Sequence, residues 1–372
     1  DVFQDSTGIT NLTNTGRDDN EFVSSTSSSA DPNVKGLWTT EIDNATSVHG
    51  SPIADKTGTL QIYTSNNSTS VVSSGTTGQT LGSKSIRTAG WDAGSNNRGF
   101  LIQEVSGQTS DLNFGTGAFT FEFFAKVIDT SSSNGVHQYF FDWSEESDTS
   151  DRIALAPIHQ STASGSYMGS YITGDVAWDY FGTSAFKHIA YVRNSSGNNS
   201  IFANGSRLAT GSNSDSLDFT DSSKLGLGQK HNGAEASYIY INNIRISNIA
   251  RYDPTASSLT IPTSVFTDTT STFNASGSFE GATITAGSST NKMGAVITYQ
   301  DHSGTNALNS DLVLKLSADN GSNYSTATLT ALPDFSSGVK CCSVADLSVT
   351  AGTQLKYKIE FANQSSSKNA RI

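Results

Sequence analysis

Carboxylates are concentrated between residues 145 and 151, where the chain reads Glu-Glu-Ser-Asp-Thr-Ser-Asp. Paired carboxylates carry out glycoside hydrolysis, and retaining enzymes hold the acid and the nucleophile about 5 Å apart. In glycoside hydrolases built on a jelly roll, such carboxylates lie on one face of a strand whose other face is apolar. Here Ser147 and Thr149 separate the acidic residues within a polar segment, a pattern typical of a solvated acidic loop.

Other catalytic patterns are missing from the sequence. The six histidines, at positions 49, 137, 159, 188, 231 and 302, show no metal-ligand spacing, and His188 lies in an apolar strand pattern where a structural role is expected. Neither a Gly-x-Ser-x-Gly motif nor a phosphate-binding glycine loop occurs. Cys341 and Cys342 are adjacent, so on a strand their side chains leave opposite faces. We interpret them as packing residues, with a strained vicinal disulfide as the alternative, and we predict a protein that is not an enzyme.

The element that organises the chain is the aromatic stretch 119–127. Phe119, Phe121 and Phe123 alternate with polar residues such as Glu122, a period of two that predicts a half-buried β-strand. Each phenylalanine ring buries on the order of 200 Å², which requires a second layer of structure opposite this face. The sequence therefore predicts a β-sandwich centred on this strand.

Composition supports an all-β fold and limits the partners. The chain has 372 residues, a formal charge of −12 and a pI near 4.8, which argues against nucleic acid as a partner. Gly is abundant at 33 residues, and Ser, Thr and Asn fill the segments between short apolar runs, as expected for many strands joined by polar turns. No apolar run approaches the roughly 18 residues of a transmembrane helix, so membrane insertion is not predicted.

The hydrophobic pattern divides the chain into four segments. Residues 1–35 are rich in Ser, Thr, Asn and Asp and are expected to form an extended N-terminal arm or linker lying along a neighbouring subunit. Residues 36–254 are predicted to form the first sandwich, 255–272 a linker, and 273–372 a second, smaller β-sandwich. Because the chain begins at Asp1 without Met, we expect it to be processed or an excerpt of a longer polypeptide.

Turn residues predict specific local features. Asn204-Gly205 lies between alternating runs and predicts a two-residue type I′ hairpin turn. Asn242-Asn243 interrupts a strand in the manner of a bulge. In the second sandwich, Asn320-Gly321 predicts another turn, and the stretch 355–361 places Leu, Tyr, Ile and Phe on one strand face.

Five blocks of the chain, taken together and in order, resemble the laminin G-like, concanavalin A-like jelly roll. The blocks are Phe114–Phe124, Lys187–Arg193, Ala203–Gly205, Leu225–Gly228 and Ile244–Tyr252. The resemblance is to the version found in tail fibres and other virion proteins of bacteriophages, marine ones especially. That family usually has Trp where this chain has Phe124 and another near Phe186-Lys187, and both departures keep a bulky apolar ring nearby.

The C-terminal segment is similar to a module that recurs near the C-termini of phage fibre proteins. The similarity rests on Asp311-Leu312, Ser317–Gly321 and Gly352-Thr353. In that module a further strand normally follows, so the resemblance implies that the second sandwich is truncated at its C-terminal end.

The resemblance to jelly rolls implies candidate binding residues in the rim loops. Such modules hold Ca²⁺ with Asp, Asn and carbonyl oxygens and stack an aromatic ring on a sugar. The candidate calcium ligands are Asp142, Glu145, Asp148 and Asp151. The candidate ligand-binding residues are Trp143, Tyr171, Trp178, Asp179 and Tyr180. The alternative is that the aromatic rings pack under loops and the carboxylates only keep the surface soluble.

The resemblance implies a virion structural protein on the surface of the extracellular particle. We expect a tail fibre, or a capsid-attached fibre or decoration protein, that contributes to adhesion to host glycans or to particle assembly. Its expected partners are other virion subunits, including copies of itself, with a trimer inferred only from fibre architecture, and no cofactor is required. Many weakly binding copies would act together through high effective concentration. The alternatives are a secreted or cell-surface carbohydrate-binding adhesin of a bacterium and, less favoured, a polysaccharide-degrading enzyme.

Overall fold

The structure is a computed structural model of the chain. It describes residues 7–17, 22–39, 41–42, 52–63, 70–72, 84–88, 99–105, 112–128, 139–143, 153–156, 165–168, 172–174, 185–219, 225–231 and 236–372. The chain divides into two units, one formed by Asp31–Asp268 and the other by Asp1–Ala30 together with Thr269–Ile372. Within the described residues, no helix is long and apolar enough to cross a membrane.

Strands are numbered in chain order. The unit Asp31–Asp268 contains β5 (Val34–Trp38), β6 (Ile53–Ala54), β7 (Leu60–Tyr63), β8 (Ser70–Val72), β9 (Ser85–Arg87), β10 (Phe100–Glu104), β11 (Asn113–Gly115), β12 (Phe119–Val127), β13 (Phe141–Trp143), β14 (Ile153–Ala156), β15 (Gly165–Met168), β16 (Ile172–Gly174), β17 (Lys187–Arg193), β18 (Asn198–Ala203), β19 (Ser206–Ser212), β20 (Leu217–Asp218), β21 (Leu225–Leu227) and β22 (Ile239–Ser247). The other unit contains β1 (Ile9–Thr13), β2 (Gly16–Arg17), β3 (Val23–Ser24), β4 (Thr26–Ala30), β23 (Thr269–Phe273), β24 (Gly277–Gly281), β25 (Ile284–Ser303), β26 (Leu312–Ser317), β27 (Ser325–Thr326), β28 (Thr330–Ser336), β29 (Val339–Phe361) and β30 (Asn369–Arg371).

The described strands of the larger unit form two large antiparallel sheets and a separate pair, β11-β20. One has the order β19-β18-β17-β12-β22-β9-β8, with β5 also pairing β22, and the other has the order β16-β15-β14-β13-β21-β10-β7-β6. One hydrophobic cluster contains buried side chains from both sheets. Strands that are neighbours in a sheet are often distant in sequence, as in a jelly roll. The predicted all-β, concanavalin A-like (laminin G-like) jelly-roll sandwich is therefore confirmed. The second, smaller unit is also built of strands, whereas its prediction as a sandwich stays a prediction.

The aromatic residues of β12 lie at the centre of this sandwich. Phe119, Phe121 and Phe123 are fully buried, as the period-two pattern predicted. The Phe121 ring is stacked on Trp143 of the opposite sheet, with ring centroids 4.3 Å apart. Phe121 also meets the edge of Phe141 at 5.3 Å. The second layer that the sequence required is thus formed by β13.

The outer face of β12 differs from the sequence prediction. Thr120 and Glu122 were expected to face solvent, but both are fully buried. The polypeptide that follows β22 covers them, because the Thr120 hydroxyl donates to the Ile249 carbonyl at 2.8 Å and Phe266 packs against Phe124 at 5.9 Å. The prediction of a half-buried strand is therefore correct for the inner face and wrong for the outer face.

Turn chemistry is confirmed where it was predicted. Asn204 and Gly205 have φ angles of 47° and 87°, the positive values that a type I′ turn requires. Asn243 has a φ angle of 53°, and the pairing of β12 with β22 shifts register beside it, as expected for a bulge. Asn320 and Gly321 also have positive φ angles, of 59° and 79°.

The smaller unit is built on two long strands. β25 and β29 pair with each other, and the C-terminal part of β29 also pairs with β24 and β26. Phe279, Leu314, Ile359 and Phe361 are buried in one core cluster, with Leu355 and Tyr357 packed against it, so the predicted apolar face of 355–361 is confirmed. Cys342 points into this core, and Cys341 lies half-buried on the opposite face of β29.

The N-terminal residues contribute strands to this smaller unit. β1 pairs with β24, β4 pairs with β23, and β2 pairs with β3, which meets β30. β5 then begins at Val34 in the larger unit. The sequence analysis treated 1–35 as an arm because the segment has few apolar residues. β1 and β4 instead pair with β24 and β23, which lie far along the chain, as in the pairing of Ser29 with Thr270.

We predict that Phe121→Ala lowers the free energy of unfolding of the larger unit by about 3–5 kcal/mol, because it removes the ring that joins the two sheets. Urea unfolding of the full chain measures this change. The matched control is Phe273→Ala, whose ring is 46% exposed and is expected to cost less than about 1 kcal/mol. Equal costs for the two substitutions would contradict the central role of Phe121.

Candidate functional site

Strand alternation places one carboxylate on the outer face of the second sheet. In β13, Phe141 and Trp143 point into the core, so Asp142 between them points away from it. The register partners of Asp142 are Ala154 on β14 and Gly226 on β21. Asp142 therefore lies between two small residues on the face opposite the core.

A short loop after β21 closes over this face. A Cβ built on Gly226 would lie 2.4 Å from the Gln229 carbonyl oxygen, so only glycine allows the loop to fold back here. The turn is made by Gly228, which has a φ angle of +70°. The Gln229 side chain then accepts a hydrogen bond from the Gly99 amide at 2.8 Å, which anchors the loop to the strand next to β21.

This loop places His231 next to Asp142. The Asp142 Oδ2 atom accepts hydrogen bonds from the His231 backbone amide at 3.1 Å and from its Nδ1 at 3.0 Å. The Asp142 side chain is fully buried, whereas 16% of the His231 side chain is exposed. Because an ionised carboxylate only accepts, Nδ1 carries the hydrogen of this bond, and Nε2 is the second hydrogen-bonding atom of the ring. The pair fixes an imidazole in one tautomer at the surface of the sheet.

Two of the candidate site residues fall within the described structure. Trp143 is fully buried and stacked on Phe121, so it offers no ring face to a sugar, and its assignment to a binding rim is corrected. The Asp142 carboxylate is occupied by His231, a partner that sequence analysis did not identify. The remaining candidates lie outside the described residues: Glu145, Asp148, Asp151, Tyr171, Trp178, Asp179 and Tyr180.

The metal prediction receives no support from the described part of the chain. There, no three or more His, Cys, Asp or Glu side chains come together in a way that could hold a metal ion. Three of the four predicted calcium ligands are outside that part, so a calcium site remains a prediction.

A second charged cluster lies on the outer face of the first sheet and was missed by the sequence analysis. The buried Glu122 carboxylate accepts hydrogen bonds from His188 Nε2 at 2.9 Å and from Arg245 Nε and Nη2 at 2.9 and 2.6 Å. The Tyr252 hydroxyl donates to the same carboxylate at 2.7 Å. Phe266 covers the Arg245 guanidinium, which lies 4.3 Å from the ring centroid.

These contacts determine the electrostatics of the cluster. Burial would raise the pKa of Glu122, but the His188 hydrogen bond and the Arg245 charge more than offset it and hold that pKa below its usual value. Burial, with the adjacent Glu122 charge, raises the pKa of the Tyr252 phenol. His188, Arg245 and Tyr252 all donate to one carboxylate under a cover of aromatic rings, so the cluster holds the chain after β22 against the sheet.

The sequence of the two neighbouring strands contained evidence of the ion pair in this cluster. Glu122 and Arg245 are register partners, and each lies between two apolar residues of its strand. His188 is the register partner of Phe124, on the other neighbouring strand. Opposite charges on neighbouring strands at matching positions indicate an ion pair, but the cover that buries it comes from residues without a strand pattern.

The comparisons with known proteins are distant. No family model matches the chain, and no curated protein matches it in sequence. Among solved structures, the binding domain of Paraclostridial mosquitocidal protein 1 is 14% identical, with 59% of this chain and 50% of that chain covered and a TM-score of 0.40. Domain 4 of AbnA, an extracellular GH43 arabinanase from Geobacillus stearothermophilus, in complex with arabinotriose, is 15% identical, with 60% and 95% covered and a TM-score of 0.38.

A sialidase from Trypanosoma rangeli is 14% identical, with 59% of this chain and 31% of that chain covered and a TM-score of 0.42. The chain thus spans about half of the mosquitocidal binding domain and under a third of the sialidase. With such TM-scores these similarities carry no argument about function, and the fold assignment rests on the sheets described above.

We predict that Glu122→Gln lowers the free energy of unfolding at pH 7 by about 3 kcal/mol, because it leaves Arg245 without its countercharge. Since the pKa of Glu122 in the folded chain is below its ordinary value of 4.5, the charged network stabilises the fold fully above pH 4.5. That contribution is lost as the pH falls through the lower, folded-state pKa.

Denaturant unfolding of the native chain and of Glu122→Gln between pH 7 and pH 3 tests this prediction. The difference between them should be constant above pH 4.5 and shrink below it. Tyr252→Phe, which removes one donor and no charge, is the control and should cost about 1 kcal/mol. A difference that grows on acidification would contradict the assignment.

Proposed function

We propose that the protein is a non-catalytic adhesion module that binds carbohydrate through the larger unit. The observation that carries this proposal is the Asp142–His231 pair, a surface imidazole whose tautomer is fixed by a buried carboxylate. Sugars present hydroxyl groups that both donate and accept hydrogen bonds. An imidazole held in one tautomer and one orientation binds such a hydroxyl with little loss of side-chain entropy.

The binding face is rigid as well as polar. The loop that carries His231 is anchored at Gln229 and turns at Gly228, and β13 and β21 beneath it are central strands of their sheet. A preformed site on a sheet loses little conformational freedom on binding. Modest affinity at such a site becomes strong attachment when many copies are presented together.

The partners that the buried carboxylates of the larger unit bind support a role without catalysis. In the described part of the larger unit, Glu122 and Asp142 belong to different sheets, and each is held by its own donors. Asp31 is paired with Arg251 at 2.7 Å, and Asp55 accepts backbone amides such as that of Leu60. A glycosidase instead needs two carboxylates that share one cleft.

We further propose that this adhesion module belongs to a bacteriophage particle, as part of a tail fibre or of a capsid-attached fibre or decoration protein. This placement rests on the sequence blocks that resemble phage jelly rolls and on the second β unit in the same chain. A surface adhesin of a bacterium would use the same binding chemistry. Antibody labelling of purified particles and of cells distinguishes the two locations.

We predict that the full chain, immobilised at high density, binds a subset of glycans on an array and that His231→Ala weakens this binding at least about tenfold, because it removes a directed hydrogen-bonding group. The matched control is His302→Ala, which alters an exposed histidine of the smaller unit and should leave binding unchanged. The array is repeated with a calcium chelator to test the predicted calcium site. Release of reducing sugar from any bound glycan is not expected.

If the His231→Ala variant binds glycans as strongly as the native chain, the proposed site is refuted. Absence of binding to every glycan, at a density that permits multivalent attachment, would refute carbohydrate adhesion itself. Release of sugar by the native chain would instead favour the enzyme alternative.

A further inference from the structure

The smaller unit contains an open apolar cleft of about 530 Å³. Its floor is the core itself, because the lining residues Leu314, Leu316 and Ile359 are at most 2% exposed. Its wall includes the half-buried side chains of Met293 and Ile297 on β25. An apolar cleft that reaches the core of a small unit is costly to leave in water, so it is a natural place for a partner to bind.

The wall of the cleft is also a sheet edge. β25 pairs with β29 on one side, whereas β30 pairs with it on the other side only from Gln300 onwards. In the described residues, the stretch before Gln300 therefore has one edge without a strand partner. Val296 on this stretch is 70% exposed. An open edge beside an apolar cleft can receive an extended segment with apolar side chains.

The same unit carries a protruding apolar segment. All seven residues of β28 are exposed. Phe335 is 74% exposed and Leu332 is 41% exposed. The strand ends in a tight turn at Gly338, which has a φ angle of +78°, and returns as β29. A phenylalanine this exposed near a hairpin turn has no packing role within the described chain, and such side chains are typical of contact sites.

The cleft and the exposed strand β28 carry opposite charges. Lys356 is the one charged residue among the described residues that line the cleft. Asp334, next to Phe335, is the one charged residue of β28. The Lys356 ammonium contacts Glu280 at 3.2 Å, and its three hydrogens allow it to bind a second carboxylate.

We propose that β28 of one copy of this chain docks in the cleft of a second copy, with Phe335 covering the apolar floor and Asp334 facing Lys356. The segment that docks and the cleft that receives it are different surfaces of the same unit. Each copy offers one segment and one cleft, so two copies can exchange segments in a closed dimer, or successive copies can join into a ring or a filament. This inference is independent of the carbohydrate site, which lies in the other unit.

The mass of the full chain across a range of concentrations, measured by analytical ultracentrifugation, tests the proposal. The native chain is expected to self-associate, and Phe335→Ser is expected to weaken association at least about tenfold because it removes the central apolar contact. Phe273→Ser, which alters a 46% exposed ring outside the cleft and outside β28, is the matched control and should associate like the native chain. A native chain that stays monomeric throughout, or a Phe335→Ser variant that associates normally, overturns the proposal.

A charge exchange tests the pairing itself. Asp334→Lys and Lys356→Glu are each expected to weaken self-association, because each places like charges at the contact. Mixed in equal amounts, they should associate again, since every contact between the two variants joins opposite charges. Lys358→Glu is the control for the loss of a lysine on the same strand, because Lys358 contacts Glu360 at 3.5 Å and does not line the cleft.

Lys358→Glu keeps both contact residues, so it should self-associate like the native chain. Association of Lys358→Glu that is weakened as much as that of Lys356→Glu, or no recovery when Asp334→Lys is mixed with Lys356→Glu, overturns the proposed contact. Circular dichroism of each variant establishes that it retains its strand content, so a loss of association is not confused with unfolding.

Discussion

The stacking of Phe121 on Trp143 is the contact on which the larger unit depends. It joins β12 and β13 across the sandwich and thereby fixes which face of each strand is internal. Once Phe121 and Trp143 face inward, alternation directs Glu122 and Asp142 to the two opposite outer faces. The charged network and the candidate sugar site both follow from this one aromatic contact.

The two outer carboxylates show how surroundings give the same chemical group different roles. Glu122 is covered by the chain that follows β22 and is surrounded by donors, so it holds that chain in place. In the part of the chain that the structure describes, Asp142 is covered by the loop that carries His231, whose ring remains partly exposed. A carboxylate saturated under aromatic rings contributes to stability, whereas one that orients an accessible imidazole can contribute to recognition.

Local features of the fold were predictable from sequence, and contacts between distant segments were not. Alternation predicted the inner face of β12, and Asn-Gly pairs predicted turns, because both signals lie within a few residues. The burial of Glu122 depends on Phe266 and Tyr252, more than 120 positions further along the chain. The same reason explains why Trp143 was assigned to a rim, since a single aromatic residue does not reveal which ring it will meet.

Asp31 and Asp268, where the chain enters and leaves the larger unit, are held together because the Asp31 amide donates to the Asp268 carbonyl at 2.6 Å. The larger unit is thus an insertion within the smaller one, whose first strands precede it and whose remaining strands follow it. During synthesis, β1 and β24 cannot pair until the whole inserted unit has left the ribosome. The adjacent ends also mean that evolution could exchange the inserted unit for another sandwich without interrupting the host strands.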